Sequence, residues 1–192
     1  MISLPEYLEH NWQLSSSEID DILAYFHPIQ VKKSEHFLRA GSQCTHIAFI
    51  NSGVMRNYSI NSDGSEVVDY MTSDGDFNTV YQYFVSREIC PENIQAVTDC
   101  DLHVIHRKDF FELKENSPTF QNLVEQLVIN GLTCKEQRLK SYLSEDAQKR
   151  YENLLAHQPK VVQYSPLRYI ASYLGITRET LSRIRNRKIP EV

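Results

Sequence analysis

Apolar residues change their period along this chain, and the changes mark out its elements. Near the start, Leu14-Ser-Ser-Ser-Glu18 is followed by Ile19, Ile22, Leu23 and Phe26 at helical spacing. Ser15 and Glu18 stand in capping-box register, so a packing helix is predicted here, ended by Pro28. From Ile29 to about His106 the period falls to two. Turn signals at Ala40-Gly41-Ser42, Asn51-Ser-Gly53, Asn61-Ser-Asp-Gly64 and Ser73-Asp-Gly75 separate the runs His46–Ile50, Val54–Ile60, Glu66–Met71 and Leu102–Ile105. Many short antiparallel strands at such spacing predict a β-roll or jelly roll.

Ser117-Pro118 then offers an N-cap and a helix-starting proline, and a long helix is predicted from Thr119 to about Leu143. Phe120, Val124, Leu127, Gly131 and Cys134 form one seam, while Leu123, Val128, Leu132, Leu139 and Leu143 form another face. Two apolar faces need two partners. The first seam is assigned to a second copy of the chain and the rest to the β-domain, against the plainer reading of one broad core face. Ser144-Glu-Asp reads as a new helix start, with Ala147, Tyr151, Leu154 and Leu155 on its buried side and Pro159 as its stop.

The most informative stretch lies between Leu167 and Asn186. Ile170, Ala171 and Leu174 share one face of a first helix, with Ala171 small where two helices would cross closely. Gly175 follows at a position suited to the positive φ of a helix end, Ile176 plugs the corner, and Thr177 can cap a second helix whose buried face is Leu181 and Ile184. Arg178, Glu179, Ser182, Arg183 and Arg185 remain outward. Arginine can clamp guanine N7 and O6, and glutamate can accept from cytosine N4, so this helix suits a major groove. A basic face alone would mark only a solvated hairpin. Here small, glycine and apolar positions agree over about twenty residues with a helix-turn-helix.

The same stretch resembles the DNA-binding helices of the cAMP receptor protein/Fnr (Crp/Fnr) family of bacterial regulators, with Thr177-Arg-Glu-Thr-Leu-Ser-Arg183 similar to that family's recognition-helix signature. Phe49-Ile-Asn-Ser-Gly53, Asp63-Gly64 and Gly75-Asp76-Phe77 resemble the glycine-marked turns of a cyclic-nucleotide-binding domain. Together the two resemblances imply an α+β chain: a cyclic-nucleotide-binding-like β-roll sensor at 1–116, a dimerisation helix at 117–143 and a helix-turn-helix DNA-binding domain at 144–192. Further implications are base reading by Arg178, Glu179 and Arg183, with Thr177 and Ser182 on phosphates or positioning the helix. A homodimer would bind a pseudo-palindromic site in double-stranded DNA, and RNA polymerase would be a further partner. A β-wing usually follows the recognition helix in that family, and Lys188-Ile-Pro-Glu-Val192 is expected to leave no room for one.

Composition sharpens this picture. A net charge of −5 looks wrong for a DNA binder until it is divided along the chain. From Lys160 onward, seven basic residues face Glu179 and Glu191, a balance of +5, so the remainder carries about −10 and phosphates would meet the C-terminal face only. No apolar run approaches the length of a membrane span and the N-terminus lacks the regions of a signal peptide, so a soluble cytoplasmic protein is expected. The rival to DNA binding is a sensor or interaction module whose basic tail docks an acidic protein.

The effector, if any, is not expected to be cAMP. In cyclic-nucleotide-binding domains the resemblance implies a Glu for the ribose and an Arg-Ser or Arg-Thr pair for the phosphate. Laid on Gly75-Asp76-Phe77 without gaps, these positions hold Val80, Cys90 and Pro91. Without the arginine a buried phosphate has no countercharge, and proline removes a backbone donor. Arg87 and Glu88 could substitute only if a loop shifted. Val80, Tyr81, Tyr83, Phe84, Ile89 and Ile94 could line a pocket for another small molecule or simply fill the roll; Val80, Tyr81, Tyr83, Arg87, Cys90 and Pro91 are taken as the candidate pocket. No metal or cofactor is expected. Cys44, Cys90, Cys100 and Cys134 form no CxxC, the three-residue step from His103 to His106 puts them on opposite strand faces, and Cys44 with His46 lacks an orienting carboxylate. With no cysteine before Cys44, an Fnr-type iron–sulfur cluster lacks its N-terminal ligands, and no enzyme signature is present.

Overall fold

The computed structural model describes residues 2–186. The expectation of a missing wing falls on residues 187–192 and lies outside the described residues. Two helices open the chain, α1 (Leu4–Trp12) and α2 (Ser16–Leu23). The predicted capping box of α2 is present, with Ser15 Oγ accepting from the Glu18 N–H and the Glu18 carboxylate accepting from the Ser15 N–H. Pro28, expected as a stop, already belongs to strand β1 (His27–Val31).

Ten strands follow: β2 (His36–Leu38), β3 (Ser42–Gln43), β4 (His46–Ser52), β5 (Val54–Ile60), β6 (Glu66–Ser73), β7 (Phe77–Asn78), β8 (Ile89–Cys90), β9 (Asn93–Ala96) and β10 (Cys100–His106) complete the set begun by β1. They form two four-stranded antiparallel sheets, ordered β1-β10-β4-β7 and β2-β9-β5-β6, with β3 and β8 paired separately. The chain passes from one sheet to the other at Gly53. Its φ is +117°, and a Cβ there would stand 2.5 Å from Cys100 Sγ and 2.7 Å from the Asp99 carbonyl, so only glycine fits. Between β7 and β8 sits α3 (Tyr81–Ser86), and after β10 comes α4 (Arg107–Asn116).

Strand alternation sends β5 into two cores at once. Met55 joins the interior between the sheets, together with Phe49, Ile50, Ile94 and Leu102. Val54 and Tyr58 point the other way and join Val68, Met71 and Val97 beneath the C-terminal helices. That second core explains why the outer face of a sheet is apolar here.

Ser117 caps the long helix α5 (Pro118–Ser144), accepting from the Phe120 N–H at 3.2 Å. The next helix, α6 (Ala147–His157), is capped by Asp146 through the Lys149 N–H. Pro159 does more than stop α6: it is the first residue of α7 (Pro159–Tyr164), an element not expected from the sequence. The chain then forms α8 (Leu167–Leu174) and α9 (Arg178–Asn186). Among the described residues no helix is long and apolar enough to cross a membrane.

The seam expected to meet a second copy needs correction. Phe120 and Val124 are buried in the chain's own inter-sheet core, and Leu127 packs partly against it. Gly131 and Cys134 are exposed, and further along the same side Arg138 and Tyr142 grip the chain's own α8. The face left uncovered carries Ile129, Leu132, Leu139 and Leu143, the last 81% exposed. Helical spacing alone could not tell which of two apolar faces meets the roll.

Candidate nucleic-acid interface

Helix α9 stands on two apolar feet. Leu181 and Ile184 are buried in the second core, while Thr177, Arg178, Glu179, Ser182, Arg183 and Arg185 are all exposed. The start of α9 is built as expected: Thr177 Oγ1 accepts from the Thr180 N–H at 3.2 Å. Glu179 sits in the first turn, where the positive helix end favours an anion. A backbone N–H and the Thr177 hydroxyl hold its carboxyl below the usual range.

The turn before α9 is fixed by both conformation and space. Gly175 has φ 66° and ψ 36°, and the Ile176 N–H reaches back to the Ala171 carbonyl at 3.0 Å, closing α8 with a left-handed cap. A Cβ at Gly175 would meet the Tyr142 ring at 3.0 Å. The last carbonyls of a helix lack partners of their own. Here side chains from α5 and α6 supply them. Arg138 Nη2 donates to the Tyr173 carbonyl at 3.1 Å, the Tyr142 hydroxyl donates to that same oxygen, and Arg150 Nε donates to the Leu174 carbonyl at 3.2 Å. The Arg138 guanidinium also lies over the Tyr173 ring, 4.1 Å from its centroid. These three residues were missed in the sequence because their partners are carbonyls about 24 to 35 positions away.

A second junction ties α8 to the roll. The Val68 N–H on edge strand β6 donates to Ser172 Oγ at 2.9 Å, so α8 covers an edge that would otherwise be open. Beside it Arg56, 1% exposed, lies between the rings of Tyr58 and Tyr169, 3.9 and 3.7 Å from their centroids. Its Nε and Nη2 donate to Gln95 Oε1 at 3.0 and 2.7 Å, and Nη1 pairs with Glu66 at 2.6 Å. Hydrogen bonding to Arg56 holds the Glu66 carboxyl below its usual range despite partial burial.

Four of the six candidate pocket residues, Val80, Tyr81, Tyr83 and Cys90, belong to or pack against the inter-sheet core, while Arg87 and Pro91 lie outside it. Val80 is buried at the start of α3, and Phe84 is buried with Phe110 5.2 Å away edge-to-face. Cys90 is fully buried, its strand pairs with β3, and its carbonyl accepts from Gly41. Tyr81 and Tyr83 are half-buried, whereas Arg87 and Pro91 are exposed. Arg87 borders an outer cleft of about 510 Å³ with His106, Arg107, Lys108, Phe111, Glu112 and Glu115, away from the inter-sheet core. Here α3 turns Phe84 inward, and Arg87 at its end faces outward. In the interior, Asn78 donates to Asn57 Oδ1 at 2.9 Å and Thr72 Oγ1 at 2.8 Å. Asp76 is deeply buried, accepts from the Ser73 N–H at 2.8 Å, and burial pushes its carboxyl up to about 6.

Cys44, expected on a strand face with His46, lies before β4 and bonds Thr79 Oγ1 at 3.2 Å. Among the described residues no group of three or more His, Cys, Asp or Glu side chains is placed to hold a metal ion.

Residues 28–117 match the family model for the cyclic nucleotide-binding domain. No curated protein matches the chain in sequence. Among solved structures, FixK2 from Bradyrhizobium japonicum superposes with a TM-score of 0.70 at 16% identity, over 84% of this chain and 83% of that one. A protein from Eubacterium rectale, described as a transcriptional regulator of the Crp/Fnr family, gives 0.69 at 21% identity over 93% and 85%. CLP, a c-di-GMP responsive global regulator of Xanthomonas campestris, gives 0.67 at 18% identity over 88% and 89%. At such identities the likeness is one of fold, and it leads to one conclusion: from 28 to 117 the chain matches a cyclic nucleotide-binding domain, and as a whole it has the α+β fold of these solved bacterial regulators.

Proposed function

We propose that the chain is a sequence-specific, DNA-binding transcription regulator of the Crp/Fnr type, not an enzyme. One observation carries the reading. Arg178, Glu179, Ser182 and Arg183 stand exposed on a helix whose apolar side is buried and whose N-terminus is capped. That is the shape and chemistry a major groove admits. Arg178, Glu179 and Arg183 read base edges, Thr177 and Ser182 hold phosphates or position the helix, and Arg185 adds to the phosphate field.

The regulator acts as a homodimer, paired through the uncovered face of α5. Ile129, Leu132, Leu139 and Leu143 keep alternating three- and four-residue steps if Glu136 is counted among them, the spacing of a two-helix seam. Two readers related by a two-fold axis would meet half-sites about 34 Å apart, and RNA polymerase is the partner through which transcription would change. The effector, if there is one, is not cAMP, since Val80 and Cys90 are built into the core and Arg87 faces outward. The rival reading, a basic tail docking an acidic protein, predicts no sequence preference at any salt concentration.

A random-site binding selection followed by gel shifts decides between them. Enrichment of a pseudo-palindromic site supports the proposal; recovery of no motif, with binding that depends on salt alone, refutes it.

A further inference from the structure

Burying the Arg56 guanidinium costs desolvation, which its partners must offset. Exchanging a whole buried ion pair for apolar side chains of similar volume is often neutral or stabilising, whereas removing one partner leaves the other unpaired, so the charge by itself is weak evidence for stability. What a guanidinium adds is direction, because it is a rigid plane whose faces stack and whose edge donates in fixed directions. Here both faces and all three nitrogens are used. One face meets Tyr58 of β5 and the other Tyr169 of α8, while the edge is held by Gln95 of β9 and Glu66 of β6. Three adjacent strands of one sheet therefore aim a single ion at α8. Ser172, three residues beyond Tyr169 and on the same side of α8, is tied to the edge of that sheet through Val68. The far end of α8 is held by Arg138 and Tyr142 of α5.

Resting on the DNA-binding reading above, we propose that Arg56 is a positioning residue for DNA recognition: it fixes α8, and α9 with it, at one orientation over the roll before DNA arrives. Binding then does not have to order the reader, so affinity for the specific site rises without a new contact to DNA. The geometry of a dimer requires such a lock. Two half-sites are read together only if each reader keeps a fixed relation to α5, whose uncovered face sets the spacing between the two copies. Arg56 lies far in sequence from any DNA-facing side chain and meets α8 through Tyr169.

The full-length protein tests this with the site recovered by random selection. Arg56→Met is expected to lower affinity for that site about tenfold while leaving affinity for unrelated DNA nearly unchanged. Arg56→Lys should not restore it, because an ammonium cannot stack between two rings and bond two acceptors at once. Hydrogen exchange should show the Val68 N–H and the α8 amides losing protection in Arg56→Met, while β1, β4 and β10 keep theirs. Tyr169→Leu attacks the same lock from α8, so it carries the test if Arg56→Met does not fold, and the double variant should be no worse than either single one. Unchanged or tighter specific binding overturns the proposal, as does a loss of protection spread evenly through the roll. If the unaltered protein selects no sequence, the DNA reading itself has failed; if it selects one and Arg56→Met binds it as well, only the role of Arg56 has.

Discussion

The segment after Gly75 and the segment after Gly175 are built from similar parts and end up with opposite characters. Each begins at a glycine with positive φ and leads to a short helix, in the first case by way of β7. In α9 the apolar residues go down and every charged residue goes out. Around α3 the residues are divided between packing and surface: Val80 and Cys90 are buried, and Arg87 is turned toward the outer cleft. The difference teaches that a segment presents polar residues to a partner only where they fall on the side the backbone leaves open. Matching the glycines of a family is not enough.

The comparison can be broken first at the base of α9. Leu181→Ala removes a fully buried side chain and should cost about 2–5 kcal/mol in the second core. Chemical denaturation should then show the C-terminal helices lost before the roll; an unchanged midpoint would mean that α9 does not depend on that core. Next comes Asp76, in the first segment. Its carboxyl is raised to about 6 against an ordinary 3.8, so the folded chain holds this proton more tightly than the unfolded one. The contribution is therefore fully favourable below about 4 and is lost as pH rises through 6. Asp76→Asn should stabilise the protein by about 2–3 kcal/mol at pH 7.5 and hardly at all at pH 4, as read from paired thermal melts. A gain that is the same at both pH values would show that burial of the charge is not the cause.

Arg178→Ala should cost about 1–3 kcal/mol of specific DNA binding and relax one base position in a repeated selection, with no change in melting. Identical selectivity would remove Arg178 from the reading set. Thr177→Ala deletes the cap of α9 and should cost about 1 kcal/mol of stability, detectable as increased exchange at the Thr180 amide. The smallest expected effect is none at all: cAMP titrated calorimetrically into the protein should give no binding heat, and micromolar binding would overturn the account of Val80, Cys90 and Pro91.

Local patterns announced much of this architecture. The capping box at Ser15, the strands β4, β5, β6 and β10, the start of α5 and the turn at Gly175 all rest on residues within a few positions of one another. The outward residues of α9 were legible for the same reason, since Leu181 and Ile184 fix its rotation. By contrast α1, α3, α4 and α7 were not anticipated, being short helices with mixed faces that depend on the surface they lie against.

What the chain's order of residues determined by itself was periodicity, caps and the charges available to each helix, because those follow from backbone geometry repeated over a few residues. Which apolar face of α5 meets the roll, where Arg87 points, and that Arg56 is clasped by a ring more than a hundred positions away were decided only by tertiary structure. The physical reason is that these outcomes depend on long-range burial. An apolar stripe or a cation carries no mark of its partner until the sheet, α5 and α8 close around it.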